Sequence, residues 1–111
     1  MTEKNRPRTV CLSKSRRKHF SILKGPPETC SMCSGLVSLK PGRSVGAHST
    51  KGYEEIVIVL EGSGKVEIKG QKPFMVKPGI AVYNPPQTEH NVVNTGKKVL
   101  RYIYVVAKVK K

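Results

Sequence analysis

The chain has 111 residues, with 21 Lys and Arg against 7 acids, which gives a formal net charge of +14 at pH 7. This length suits one domain, which buries enough surface to fold without disulfides or metals as staples. All of the acids are glutamates. The absence of Asp excludes the EF-hand loop, the Ser-His-Asp triad and the Asp-based magnesium sites of nucleotide enzymes.

The N-terminal region is basic and has no long apolar stretch. Residues 1–24 hold eight basic residues and one acid, Glu3. A secretory signal needs about 7–15 apolar residues after its charged start, and none follow here. The longest apolar run, residues 56–60, is far too short for a membrane span. We therefore expect a cytoplasmic protein with reduced cysteines and no membrane contact, with residues 1–18 as a basic arm and residues 19–111 as the folded domain.

Short runs rich in Val, Ile and Leu alternate with Gly and Pro turn signals along the rest of the chain. This pattern predicts an all-β sandwich or barrel, and no window shows the apolar i, i+3, i+4, i+7 stripe of a helix. The run at residues 56–60 is apolar on both faces. We expect one face to line the interior and the other to be covered by a second sheet or by a partner subunit. In chain order, the predicted strands are residues 35–39, 55–60, 64–68, 80–83, 91–93 and 100–106.

Two of the three histidines follow Gly- or Pro-rich turns in the most β-like part of the chain. His48 and Thr50 are two residues apart, which places their side chains on one face of a strand. A turn then folds the next strand back, and we expect it to bring Glu55 opposite His48 and Thr50. A Pro-Pro bend places His90 at the start of another strand, beside His48 and Glu55 in the closed sheet. Two imidazoles and one carboxylate form a ligand set that suits several transition metals.

These segments resemble the two sequence motifs of the cupins. The first motif is G-x5-H-x-H-x(3,4)-E-x6-G, and its counterparts here are Gly42, His48, Thr50, Glu55 and Gly62. The second is G-x5-P-x-G-x2-H-x3-N, and its counterparts are Gly79, Pro85, Gln87, His90 and Asn94. Eight of the ten marker positions match, and sixteen residues separate the motifs, which is the short spacing of small single-domain cupins.

The resemblance covers about residues 20–107 and implies a double-stranded β-helix, the jelly-roll barrel of the cupins. It also implies that His48, Glu55 and His90 point inward and hold one divalent transition metal: Fe, Zn, Mn, Ni or Cu. A small-molecule ligand or substrate is implied as well, and so is a homodimer, which agrees with the two-sided apolar strand. Oxygenase, isomerase and lyase activities all occur in this superfamily, so enzymatic activity stays open.

Two positions differ from the cupin motifs. Thr50 replaces the second His, which leaves three protein ligands and an open position for water or substrate. We interpret Thr50 as a water-positioning hydroxyl or a β-branched filler. Gln87 replaces a Gly, and it either reaches the ligand from the barrel rim or lies in solvent as an ordinary loop residue. Cys33 shares strand parity with Val37 and Leu39, which places it on the inward face near the metal. Thr50, Gln87 and Cys33 are thus candidate pocket residues.

Three other signals receive structural interpretations. Cys30 and Cys33 have the spacing of a zinc or redox motif, but residues three apart on a strand face opposite sides, so we predict separate thiols. Glu54 points away from Glu55 on the same strand, and we expect it in solvent or at an interface. His19 has no partner in sequence, so we assign it to the surface.

The high positive charge raises the question of nucleic acid. Aromatic residues are few, and no basic cluster is interleaved with stacking rings, so we predict only weak, salt-sensitive attraction to polyanions. The leading hypothesis is a small metal-binding cupin that binds or converts a small polar molecule at His48, Glu55 and His90. The alternative is a metal-free, non-catalytic module that binds a sugar or a small acid in the same barrel.

Overall fold

The computed structural model describes residues 5–12 and 17–109. These residues form β-strands and no helix, and every strand pairing is antiparallel. The all-β prediction is confirmed. Within the described ranges, no helix is long and apolar enough to cross a membrane. In chain order, the strands are β1 (His19–Leu23), β2 (Cys33–Leu39), β3 (His48–Ser49), β4 (Tyr53–Glu61), β5 (Gly64–Ile68), β6 (Phe74–Val76), β7 (Ala81–Asn84), β8 (Glu89–Val93) and β9 (Leu100–Lys108).

The strands form two facing sheets. The larger sheet has five strands in the order β1-β2-β9-β4-β7, and the smaller sheet has four in the order β3-β8-β5-β6. From β2 onward, nearly every connection carries the chain from one sheet to the other. Two antiparallel sheets connected in this way form the predicted jelly-roll barrel.

Aliphatic side chains from both sheets fill the space between them. Along each strand the inward positions alternate with outward ones, because successive side chains point to opposite faces. The buried core consists of Val37, Leu39, Val57, Val59, Val66, Val76, Val82, Val92, Leu100 and Tyr102. This packing joins the two sheets into one barrel.

The outer face of β4 departs from the sequence-based expectation. Val57 and Val59 are buried, as predicted for the face that lines the interior. Ile56, Ile58 and Leu60 lie on the opposite face and are 39%, 38% and 40% exposed. The prediction that a second sheet covers this face is therefore wrong for the described chain, and a partner subunit is the alternative that stays open.

The six predicted strands are all present, but β1, β3 and β6 are additional. β3 has two residues and β6 has three, which is too short for a period-two signal to stand out. β1 lies in the basic N-terminal zone, and its apolar contacts come from pairing with β2, where Phe20 lies opposite Leu36. Long-range pairing of this kind leaves no mark in the local sequence.

Part of the predicted N-terminal arm, residues 1–4 and 13–16, lies outside the described residues. Within the described part, the Arg8 guanidinium donates a hydrogen bond of 3.1 Å to the backbone carbonyl of Glu28. It also lies 3.9 Å from the Glu28 carboxylate. This part of the arm therefore contacts the loop that precedes β2.

Gly64 is required where β5 passes close to β8 and β9. A Cβ at this position would lie 2.3 Å from the Val93 carbonyl oxygen and 2.9 Å from the Leu100 side chain. We expect Gly64→Ala to lower the free energy of unfolding by about 1–3 kcal/mol, measured by urea denaturation. The matched control is Gly52→Ala, because a Cβ at Gly52 would meet nothing within 4 Å. Equal losses in the two variants would contradict this explanation.

Candidate active site in the barrel

A cavity of about 310 Å³ lies between the sheets, beside the aliphatic core. Its wall combines valines with three histidines, one carboxylate and two tyrosines, and none of the described residues on it is Lys or Arg. The lining residues are His19, Val37, Val45, His48, Glu55, Val57, His90, Val92, Tyr102, Tyr104 and Val106. The cavity thus concentrates groups that titrate or coordinate metals within an apolar surround.

His48 and His90 are direct neighbours across two strands of the smaller sheet. β3 pairs with β8 so that the two residues lie opposite each other, and their ring centroids are 4.4 Å apart. His48 Nδ1 donates to the Gly46 carbonyl at 2.8 Å, since a carbonyl oxygen can only accept. This bond leaves Nε2 of His48 as the free ring nitrogen.

Glu55 reaches the two histidines from the larger sheet. Its Oε1 lies 2.9 Å from His90 Nε2, and the Glu55 side chain is only 9% exposed. The expected pairing of Glu55 with the strand of His48 and Thr50 is wrong, because β4 pairs with β7 and β9 whereas β3 pairs with β8. The carboxylate meets the imidazoles across the barrel interior instead of along one sheet.

His90 is held by both ring nitrogens. Nδ1 donates to the Thr88 carbonyl at 3.2 Å, and Nε2 faces Glu55. Burial lowers the pKa of His90, but the hydrogen bonds to Glu55 and Thr88, together with the charge of Glu55, outweigh burial and raise the pKa overall. The protonated ring, with two N–H donors, is therefore the form that this environment favours.

Asn84 is a site residue that the sequence analysis missed. It is fully buried on β7 opposite Glu55, and its Nδ2 donates to Glu55 Oε1 at 2.9 Å. Among the described residues, Asn84 Oδ1 is a buried oxygen without a hydrogen-bond partner. Its inward parity with Val82 is the sequence signal that indicates this position, because 80–83 is a predicted strand.

Thr50 lies outside the cavity wall. Its hydroxyl donates to the Pro85 carbonyl at 2.7 Å and accepts from the Thr88 backbone N–H at 3.1 Å. The side chain is buried, and it connects the turn after β3 to the loop before β8. The hydroxyl is thus engaged by backbone rather than directed at the candidate ligands.

The other two candidate pocket residues also lie off this wall. Gln87 is exposed in the loop before β8 and borders a separate outer groove with Tyr83 and Glu89. Cys33 is half-buried at the start of β2, where it pairs with Val106. The structure therefore brings together His48, Glu55 and His90, but not Thr50, Gln87 or Cys33.

His19 was assigned to the surface because it has no partner in the sequence, but the structure gives it a partner. Its side chain is exposed, but it lines the cavity, and Nε2 lies 2.7 Å from the Tyr104 hydroxyl. The two rings are stacked, with centroids 5.8 Å apart. The partner is distant in sequence, and β1, which carries His19, is itself one of the strands that the sequence did not predict.

The cysteines do not form a paired site. Cys11, Cys30 and Cys33 are all free thiols. The expectation of strand geometry across both Cys30 and Cys33 is wrong for Cys30, which lies in a bent segment before β2. In that segment the Thr29 hydroxyl donates to the Met32 carbonyl at 2.6 Å.

The side chains near the cavity form no ready-made metal cluster. In the part of the chain that the structure describes, no group of three or more His, Cys, Asp or Glu side chains is arranged to hold a metal ion. Within the cavity, His90 Nε2 and Glu55 Oε1 lie 2.9 Å apart and contact each other directly. The donor chemistry still fits, because both Nδ1 atoms bond to carbonyls and both Nε2 atoms are the ones left for coordination.

The cavity with its histidine–carboxylate contact lies inside a jelly-roll barrel, and comparison with known proteins agrees with this fold. A family model described as a cupin domain matches residues 35–106. The cupin domain of Schizosaccharomyces pombe Cnp3 has a TM-score of 0.74 at 22% identity, and the match covers 82% of this chain and 64% of that chain. The chain therefore belongs to the cupin family.

Two relatives are similar in sequence. An uncharacterized protein of Methanocaldococcus jannaschii is 33% identical over 85 residues, which cover 77% of this chain and 64% of that protein. The oxalate-binding protein of Thermotoga maritima is 33% identical over 70 residues, which cover 63% of this chain and 57% of that protein. The match thus spans 64% and 57% of the length of these two relatives.

Gln87 occupies the position where the cupin motif has Gly, and its backbone has a φ of +55°. This left-handed conformation costs a residue with a Cβ about 1–2 kcal/mol, and Gly avoids that cost. Gly also has more conformational entropy in the unfolded chain, which offsets about 0.5–1 kcal/mol of the gain. We expect Gln87→Gly to raise the free energy of unfolding by about 0.5–1 kcal/mol in urea denaturation. Gln87→Ala is the control, because it keeps the Cβ. A gain of the same size in the Ala variant would show that backbone strain is not the cause.

Proposed function

We propose that this chain binds a small polar molecule in the barrel cavity through a divalent transition metal held by His48, Glu55 and His90. The observation that carries the proposal is the meeting of these three side chains on one cavity wall, with both imidazoles anchored through Nδ1. Asn84 adds a hydrogen bond to Glu55, which is the kind of outer partner that orients a coordinating carboxylate. The ligand set suits Fe, Zn, Mn, Ni or Cu alike.

The charge of the cavity supports a metal where the ligand is an anion. Glu55 is the carboxylate on the wall, and the described part of the chain contributes no Lys or Arg to this wall that could balance a second negative charge. A bound divalent ion supplies that positive charge and polarises a ligand oxygen as a Lewis acid. His90 Nε2 and Glu55 Oε1 would both hold such an ion, in place of their mutual hydrogen bond, and a proton between them would be released.

A small carboxylate is the ligand class that we favour. The relative from Thermotoga maritima is an oxalate-binding protein. The net charge of +14 also attracts small anions toward the protein at low ionic strength. Binding alone and turnover of such a ligand are both compatible with this cavity, and three free thiols agree with a reducing, cytoplasmic setting.

The second candidate function is metal-free binding of a sugar or a small acid. The hydrogen-bonded contact between His90 and Glu55 favours it, because this contact is complete without an ion. The two functions differ in what stabilises the protein: divalent ions raise the melting temperature under the first, and only organic ligands do so under the second.

Metal content measures the first function directly. We expect untagged wild-type protein to contain about one equivalent of a transition metal by mass spectrometry, and His90→Ala and Glu55→Ala to lose most of it, because each removes a ligand. The matched control is Glu54→Ala, which removes the neighbouring carboxylate on the outer face. Unchanged metal content in Glu55→Ala, or no metal uptake by the wild type on titration, would overturn the proposal.

We also propose a homodimer formed through the outer face of the larger sheet. Ile56 lies beside Tyr83 on one neighbouring strand and Val105 on the other, and Ile58 lies beside Ile103, so their outward side chains form a continuous apolar patch. Such patches on a sheet mark interaction surfaces when they are contiguous. The exposure of Ile56 and Ile58 is what a partner subunit would remove.

Light scattering after gel filtration tests the dimer. We expect wild-type protein to have twice the monomer mass, and Ile58→Lys to run as a monomer, because the ammonium would lose water at the interface beside Ala81 and Ile103, neither of which is a carboxylate. The control is Met75→Lys, at a position 67% exposed on the outer face of the smaller sheet. A monomeric wild type, or a dimer that survives Ile58→Lys, would contradict this interface.

A further inference from the structure

The cavity holds a second polar pair apart from the candidate metal ligands. His19 and Tyr104 both line the cavity, and His19 Nε2 lies 2.7 Å from the Tyr104 hydroxyl. The two residues come from β1 and β9, with β2 between them. Because His19 is exposed while it lines the cavity, this pair lies where the cavity meets solvent.

Gly35 on β2 makes the contact between His19 and Tyr104 possible. A Cβ at Gly35 would lie 2.7 Å from His19 Nε2 and 2.7 Å from the Tyr104 hydroxyl oxygen. The position has an ordinary backbone conformation, since its φ is not among the positive values. Glycine is therefore not needed here for a turn. It is needed because the absence of a side chain leaves the space that His19 and Tyr104 fill.

We propose that the His19–Tyr104 pair is a second anchor for the ligand: it binds one ligand oxygen, while His48, Glu55 and His90 hold another. This inference rests on the proposed function, because it assumes that the first end of the ligand is held at those three residues. It extends that function by naming the ligand class: a small molecule with an oxygen acceptor at each end, of the dicarboxylate type. Nothing in the motif positions points to His19 or Tyr104.

The Tyr104 hydroxyl has the chemistry that such an anchor needs. When His19 Nε2–H donates to the hydroxyl oxygen, the hydroxyl hydrogen is directed away from His19 and is free to donate to a ligand. Burial, with smaller effects from Cys33 and Glu55, raises the pKa of Tyr104, so the hydroxyl keeps its proton. A carboxylate bound there gains a charge-assisted hydrogen bond from the Tyr104 hydroxyl.

The size of the cavity limits the ligand to a short molecule. Its volume of about 310 Å³ equals the liquid volume of roughly ten water molecules at about 30 Å³ each. Two carboxylates joined by a few carbons fit within this volume, whereas a large sugar or a nucleotide does not. The five valines on the cavity wall give the carbon chain of such a diacid an apolar surface to contact.

The test compares diacids with monoacids of the same carbon number. Calorimetric titration of zinc-loaded protein would use oxalate against acetate, malonate against propionate, succinate against butyrate, and glutarate against valerate. We expect wild-type protein to bind at least one diacid at least tenfold more tightly than its monoacid. We expect Tyr104→Phe to lose about tenfold or more of that preference, because one hydrogen bond to a charged group is removed.

The controls separate this anchor from simple chelation and from loss of the metal. Tyr83→Phe removes a hydroxyl on the outer face, where Tyr83 donates to Glu54, and we expect it to keep the preference. Tyr104→Phe should also keep the wild-type zinc content and monoacid affinity, whereas His90→Ala should lose the metal. A preference that survives in Tyr104→Phe reflects chelation by the metal and overturns the second anchor. The second anchor is also overturned if wild-type protein binds diacids and monoacids equally, or binds none of them. If wild-type protein takes up no zinc, the proposed function is overturned instead.

Gly35→Ala gives an independent check, because it leaves both polar groups in the chain. The added methyl group must displace His19 or Tyr104. We expect this variant to weaken diacid binding with little change in monoacid binding, at unchanged zinc content. Wild-type diacid affinity in Gly35→Ala would count against a role for the geometry of the pair.

Discussion

The buried carboxylate of Glu55 is the constraint on which the rest of the site depends. A carboxylate inside a protein is costly unless hydrogen bonds and an opposite charge compensate for the lost water. His90 provides the charge and Asn84 provides a further donor, both to the same oxygen. These two residues come from different sheets, so satisfying Glu55 also connects the two halves of the barrel at this end.

The alternation of β4 places successive side chains on the cavity side and on the outer side of the larger sheet. Glu55 and Val57 face inward, while Glu54, Ile56 and Ile58 face outward. The adjacent glutamates therefore have different environments: one is buried beside His90, and the other is exposed and accepts a hydrogen bond from Tyr83. The same strand contributes to the candidate metal site and to the candidate dimer surface, because a strand reverses side at every residue.

Much of this site could be predicted from the sequence, because the two motifs fix the spacing of the candidate residues along the chain. His48, Glu55 and His90 were placed together from two motifs, and the barrel does bring them to one wall. The pairing of the strands was not predictable in the same way. A local turn suggested that Glu55 returns alongside His48, whereas the jelly-roll connection sends the two strands to opposite sheets.

The residues that the sequence did not reveal all depend on contacts between distant strands. Asn84 becomes a partner of Glu55 only through the register of β7 on β4, and His19 reaches Tyr104 only because β1 joins the sheet edge. Gly35 is the first residue of the predicted strand 35–39, and a glycine in a strand can indicate the close approach of another group. That signal does not say which group approaches, because the answer lies in residues far away in the chain.

Thr50 stands where the cupin motif has its second His, and this replacement gives the position a different role. In the cupin motif a His at this position is a candidate metal ligand. The threonine hydroxyl instead donates to the Pro85 carbonyl and accepts from the Thr88 N–H. The Thr88 carbonyl in turn accepts the hydrogen bond from His90 Nδ1. Thr50 therefore acts on the site through the backbone: it fixes the loop whose carbonyl sets the orientation of His90. The position therefore contributes to the orientation of His90 without lining the cavity itself.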